Sequence, residues 1–233
     1  MSAAALLDIH PSLWLGSQLG HATGRVVDTG YPALSAQLPG GGWPVGTLIE
    51  FLLQQAGVGE MRLLRPALAA QGKRPIALIQ PSHVPNAIAF AHLGVDPAKL
   101  MWIRAPKTAD ALWSAELILK TGSCGALIFW QQHIRAESLR RLLLASQASE
   151  TLFVVMRPLA SAPDASPASL RITIRPAEGG VSVEVIKRKG PISAHPLVIP
   201  IEPSPILLSP YPRTRRKSSE TLPAAAEQVA AGT

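Results

Sequence analysis

One cysteine, Cys124, stands in 233 residues, so the chain can close no internal disulfide. It lies between Ser123 and Gly125 at the head of an apolar run, the setting of a buried structural thiol rather than a nucleophile. The six histidines are scattered, with neither HxxxH nor HExxH spacing, and no metal site or cofactor is expected. Aromatic residues are scarce at 5%, which suits α/β packing better than an all-β sandwich. No apolar run reaches the roughly 18 residues that span a bilayer. The first residues lack a basic stretch followed by an apolar one, so no secretory leader is expected. These absences predict a cytoplasmic protein without membrane contact. Acidic side chains are also in deficit, 15 against 22 Lys and Arg, for a net charge of +7. Such a balance suits an anionic partner such as nucleic acid but identifies none, because general arginine usage and a basic tail produce it equally well.

What is present is 47% hydrophobic, enough for one buried core with tails. Residues 1–25 read as an N-terminal helical segment, with Ser12 a possible cap and Trp14 on the apolar face. A core follows over 26–202. From 203 to 233 the composition turns to Pro, Ser, Ala and basic residues, and this tail is expected to be disordered. Within the core, the Gly- and Pro-rich stretch Gly40–Gly46 must turn tightly. Strands are expected at 47–53, 75–79, 100–103, 126–130 and 152–156, with helices at 61–71, 85–93, 109–121 and 136–148. The run Ala126-Leu127-Ile128-Phe129-Trp130 lacks alternation, as a strand covered on both faces should. Strands alternating with helices predict an α/β fold with a mainly parallel sheet and helices on both faces. Residues 170–174 and 181–186 alternate cleanly around Glu178-Gly179-Gly180 and read as an antiparallel hairpin at the sheet edge. Trp102, Trp113 and most of the other tryptophans are assigned to core packing.

The order turn, strand, loop, helix over 40–71 is where a P-loop protein holds phosphate, using backbone N–H groups, a lysine and a metal-binding hydroxyl. Here the loop reads Gln54-Gln55-Ala56-Gly57-Val58-Gly59-Glu60-Met61. With Gly59 as the second glycine, Glu60 stands at the lysine position, Met61 at the hydroxyl position and Gln54 at the first glycine. A glutamate beside a triphosphate repels it, and a thioether is no magnesium ligand. The strand ending at Trp130 likewise carries an indole where a metal-binding aspartate would be needed.

The ordered set Leu38-Pro39-Gly40-Gly41-Gly42-Trp43-Pro44-Val45-Gly46-Thr47-Leu48-Ile49-Glu50 resembles the turn and first core strand of RecA. With Gly57-Val58-Gly59-Glu60-Met61-Arg62-Leu63-Leu64, Leu93-Gly94-Val95-Asp96, Ala111-Leu112-Trp113 with Glu116, and Arg140-Arg141-Leu142, the chain from about His10 to Gly190 resembles the ImuA family, RecA-like accessory proteins of the bacterial mutasome. The resemblance implies a RecA-like core with a degenerate nucleotide site. It also implies a non-catalytic role in SOS-induced translesion synthesis beside the polymerase-like ImuB and an error-prone polymerase, with RecA and DNA as further possible partners. By the same resemblance, Ser82 stands where RecA has the glutamate that activates water. SulA-type cell-division inhibitors are similar over the middle of the chain but lack the long N-terminal half; their implied alternative is a partner in the tubulin-like division protein. An active recombinase-type ATPase is disfavoured by Glu60, Met61, Ser82 and Trp130. Two basic clusters are candidate DNA or partner contacts: Lys187-Arg188-Lys189 after the hairpin, otherwise an edge guard, and Arg213, Arg215, Arg216 and Lys217 in the tail, otherwise a solubilising charge.

Overall fold

The computed structural model describes residues 24–71, 73–190 and 195–201. The expected N-terminal helical segment with Trp14, and the tail with Arg213, Arg215, Arg216 and Lys217, lie outside the described residues. The strands are β1 (Val26–Val27), β2 (Trp43–Pro44), β3 (Leu48–Leu53), β4 (Ile76–Ile79), β5 (Leu100–Ile103), β6 (Ala126–Trp130), β7 (Leu152–Pro158), β8 (Leu170–Ala177), β9 (Gly180–Lys187) and β10 (Leu197–Pro200). The helices are α1 (Pro32–Ser35), α2 (Glu60–Leu63), α3 (Arg65–Ala70), α4 (Ala87–His92), α5 (Thr108–Thr121) and α6 (Ala136–Ser146). Eight strands form one sheet in the order β10-β9-β8-β3-β7-β6-β4-β5. From β8 to β5 all neighbours are parallel, while β9 and β10 are antiparallel. β1 and β2 form a separate antiparallel pair.

The continuous apolar runs of the central strands are explained by cover on both faces. On the first face Ile49, Phe51, Ile76, Ile128 and Val154 pack with Leu63, Leu64 and Leu68 of α2 and α3 and with Phe90 of α4. On the second, Ala77, Leu127, Phe129 and Phe153 pack with Leu112, Ala115 and Leu119 of α5 and Leu139 and Leu142 of α6. The fold is therefore mixed α/β with a mainly parallel sheet between two helical layers. Gly122 ends α5 in the left-handed conformation, φ 59°, which costs a residue without Cβ little. Cys124 is buried, and burial pushes its thiol pKa up, as suits a structural thiol.

Three expectations change. The single helix over 61–71 is two short helices meeting at Leu64. Pro66 has no N–H to give the Arg62 carbonyl, and the Tyr31 hydroxyl donates to that oxygen instead, at 3.3 Å. The hairpin β8–β9 is antiparallel as expected but is not the edge: β8 pairs with β3, and β10, which alternation did not reveal, covers β9. The pairing with β10 covers Gly180–Val183 of β9 and stops short of Lys187. Trp102 and Trp113 leave the core, at 37% and 63% exposure. On α5 the residues that bury are Ala111, Leu112, Ala115, Ile118 and Leu119, so the stripe carrying Trp113 and Leu117 turns outward.

Where the helices of the second face end, the sheet carries charge. Glu50 in β3 is fully buried between Arg157 of β7 and Arg171 of β8. Arg157 Nη1 donates to Glu50 Oε1 at 3.1 Å and Arg171 Nε to Glu50 Oε2 at 2.6 Å. Arg157 Nη2 reaches Asp164 Oδ2 at 2.8 Å, and the two Nη groups of Arg171 donate to the carbonyls of Ala162 and Ser161. The segment after β7 thus presents two backbone carbonyls to this part of the sheet, and Arg171 satisfies both. Glu50 is the carboxylate buried with the two guanidinium groups, and the half-exposed Asp164 matches the outer end of Arg157. Glu50→Gln leaves two buried cations with one counter-charge; we expect it to lower unfolding free energy by about 3–5 kcal/mol, read from the urea midpoint. A cost below about 1 kcal/mol would contradict this account of the network.

Candidate functional site

The loop after β3 leaves the sheet at Gln54, whose N–H donates to the Ile174 carbonyl at 3.1 Å. It then turns through two glycines of positive φ, Gly57 at 80° and Gly59 at 126°. A Cβ at Gly59 would come within 2.9 Å of Val181 Cγ1, so both backbone and space require glycine there. Glu60 follows as the first residue of α2 and is 3% exposed. Its carboxylate turns back into the loop: Oε1 accepts from the Gly57 N–H at 2.9 Å and Oε2 from the Gly59 N–H at 3.0 Å. An acidic group in a first helical turn is favourably placed, and charge-assisted bonds to backbone N–H are strong. Two donors that would face an anion are thereby taken by the chain's own carboxylate. Met61 packs against the first-face core, consistent with a side chain chosen for apolar contact rather than for a metal.

Beside this loop lies a crevice of about 470 Å³ at the C-terminal ends of β3, β4, β6 and β7. Its position follows from topology. The helix after β4 packs on the first face and the helix after β6 on the second, so the two connections diverge and leave a gap between them. Of the residues expected at a nucleotide site, Gln54, Ser82 and Trp130 share this crevice. Gly57, Gly59 and Glu60 do not line it but close on one another. Ser82 is exposed, and its Oγ lies 3.1 Å from His83 Nδ1. Trp130 is half-buried, and its indole N–H has no partner among the described residues.

Sequence reasoning missed most of the crevice wall. Five glutamines line it: Gln54, Gln55, Gln80, Gln131 and Gln132. Gln80 holds a positive φ of 50°, unusual for a residue with Cβ, and its Nε2 donates to the Ala105 carbonyl at 2.8 Å. Arg157 closes the floor and also faces a second crevice with Asp164 and Arg135. Among the described residues the first crevice is lined by no Lys, Asp or Glu. Its Arg157 charge is already matched by Glu50 and Asp164. Primary amides each supply one acceptor and two donors without net charge. The wall is suited to neutral hydrogen-bonding groups and poorly to a metal-bound triphosphate. The available signal was the run of glutamines directly after β3 and β6, together with single charges of opposite sign inside apolar strands, Glu50 against Arg157 and Arg171.

The basic cluster at the end of β9 does not act as one patch. Lys187 Nζ donates to the Ser166 carbonyl at 2.6 Å, and the Arg188 guanidinium to the carbonyl of Gln37. Lys189 alone of the three is exposed. Lys187 and Arg188 thus fasten the end of β9 to two loops. Neither the scan against protein-family models nor the search of curated proteins finds a match to this chain.

Glu60→Ala leaves the Gly57 and Gly59 N–H groups without their acceptor, and we expect it to cost about 1–3 kcal/mol in urea unfolding. Glu60→Gln, which keeps an acceptor oxygen, should cost less than the alanine variant. Equal stability of Glu60→Ala and the unaltered protein would show that the carboxylate is not seated in the loop.

Proposed function

We propose that this chain is a non-catalytic accessory protein of error-prone translesion DNA synthesis, an ImuA-like protein on a RecA-like α/β core. In this reading it assembles with a polymerase-like ImuB partner and an error-prone polymerase during the SOS response. The observation that carries the non-catalytic part is the Glu60 carboxylate on the Gly57 and Gly59 N–H groups. A phosphate entering that loop would meet a fixed negative charge in place of donors. Met61 packed against the apolar core and an indole at the end of β6 support the same reading, because neither supplies a magnesium ligand. The resemblance over residues 10–190 supports the pathway and the named partner. Action would be physical: holding partners together, with DNA and RecA as further contacts.

The test uses the full chain as bait in lysate from DNA-damaged cells of the organism that encodes it, with nuclease present and washes at moderate salt. The expected result is recovery of the polymerase-like protein. Recovery of the tubulin-like division protein instead would favour a SulA-like inhibitor and overturn the mutasome reading. The purified chain should show no ATP turnover above background; turnover that disappears on changing Glu60 would end the non-catalytic reading.

A further inference from the structure

Among the described residues four buried side-chain atoms lack a hydrogen-bond partner, and all four are N–H donors. Two of them, Trp130 Nε1 and Arg157 Nε, belong to residues that line the crevice beside the loop after β3. Arg157 is 4% exposed, and its two Nη groups are already bound to Glu50 and Asp164. A buried donor is costly to leave unpaired, and a ligand that brings acceptor oxygens removes that cost at both residues. Two half-buried amides of the wall are set before any ligand arrives. Gln80 Nε2 donates to the Ala105 carbonyl at 2.8 Å and Gln131 Nε2 to the His133 carbonyl at 3.0 Å. Gln80 is held at a positive φ of 50°, strain of a kind that collects at binding sites.

The fitting ligand is rich in acceptors, poor in donors and uncharged. No Lys, Asp or Glu lines the crevice among the described residues, and the Arg157 charge is matched. A polypeptide carbonyl is a neutral acceptor, but an ordinary peptide brings an N–H with every carbonyl. Proline brings none. A proline-rich segment in the polyproline II conformation has no internal hydrogen bonds, so its carbonyls are free, and it loses little conformational freedom on binding. Its rings pack on aromatic and apolar walls, here Trp130 with Leu53, Met156 and Pro158. A cube of the crevice volume, about 470 Å³, has an edge of about 8 Å, near the roughly 9 Å of one three-residue turn of that helix. A nucleotide fits less well: its base adds N–H donors, and its phosphate finds no lysine and no unmatched arginine in the wall.

We propose that the crevice at the ends of β3, β4, β6 and β7 binds an uncharged, proline-rich segment of a partner protein, with the Trp130 indole N–H and the Arg157 Nε–H donating to its backbone carbonyls. This rests on the crevice being a binding site rather than a catalytic one, and on no named pathway.

The test uses the full chain with isotope-labelled tryptophan and two capped fluorescent peptides, one of alternating proline and alanine, the other with glycine in place of every proline. The proline peptide should bind saturably, about tenfold tighter than the glycine peptide. It should also move the NMR signal of the Trp130 indole N–H, assigned by its loss in Trp130→Phe. Trp130→Phe keeps a ring and removes the donor, and should weaken binding about fivefold. Gln132→Glu, at the exposed rim, replaces two donors by a charge that repels carbonyls; it should weaken binding while the urea midpoint stays where it is. Failure of the proline peptide to bind at millimolar concentration overturns the proposal. So does equal binding of the glycine peptide, a fixed Trp130 signal, or binding that neither variant weakens. A Trp130 shift produced by nucleosides or single-stranded DNA and not by the peptide would give the crevice to a base and equally overturn it. If ATP with magnesium moves the Trp130 signal and the peptide does not, the proposal falls together with the closed loop at Glu60; if neither moves it, the proposal falls alone.

Discussion

Glu50, in the strand at the middle of the sheet, ties that strand to both of its neighbours by charged hydrogen bonds added to the backbone ladders. Its two carboxylate oxygens accept from Arg157 of β7 and Arg171 of β8. The side chains of these three residues are at most 7% exposed, so each charge depends on the others to offset its desolvation. Through Arg171 the same group holds the Ser161 and Ala162 carbonyls, and through Arg157 it holds Asp164. The segment between β7 and β8, whose only helical part among the described residues is the 3-10 turn Leu159–Ser161, is thereby fixed to the sheet. This allows β8 to lie parallel beside β3, and the hairpin and β10 to extend the sheet beyond it. Arg157 also forms the floor of the crevice, so the network that stabilises the sheet shapes the candidate site as well.

Several of the charged groups singled out in the sequence are satisfied internally. Glu60 is seated on its own loop, Arg157 on Glu50 and Asp164, and Lys187 and Arg188 on carbonyls of neighbouring loops. The polar groups that remain at the crevice surface are the glutamine amides, the Trp130 indole, the Ser82 hydroxyl and the His133 imidazole. Catalytic sites usually leave charged groups poised toward a substrate; here they are turned inward and matched. That distribution supports the proposed accessory role, in which partners are recognised through polar and apolar surface.

The sheet was largely legible in the sequence because buried parallel strands are written as short unbroken apolar runs between helical stretches, as at 76–79 and 126–130. β10 was not legible, since Leu197-Val198-Ile199 sits between prolines that argue against a strand unless it lies at an edge. The break at Leu64 was readable from Pro66 but was overridden by the apolar spacing of Leu63, Leu64 and Leu68. Trp102 and Trp113 misled because residue type favours burial, and only the sheet order reveals that β5 is last. At the candidate site, Glu60, Met61, Ser82 and Trp130 were recognisable as departures from a pattern. The inward turn of Glu60 onto Gly57 and Gly59 was not, because a carboxylate at that position reads only as repulsion until the loop's N–H directions are known. The glutamine wall belongs to three separate stretches that converge only in space.

The claim on which the functional reading rests is that the loop after β3 is closed by its own carboxylate. The most direct measurement is the backbone amide NMR signals of Gly57 and Gly59 in the full chain, followed while ATP and magnesium are added to millimolar concentration. The account predicts that both signals stay where they are. Saturable shifts of these two amides would show that a nucleotide displaces Glu60, and would contradict it.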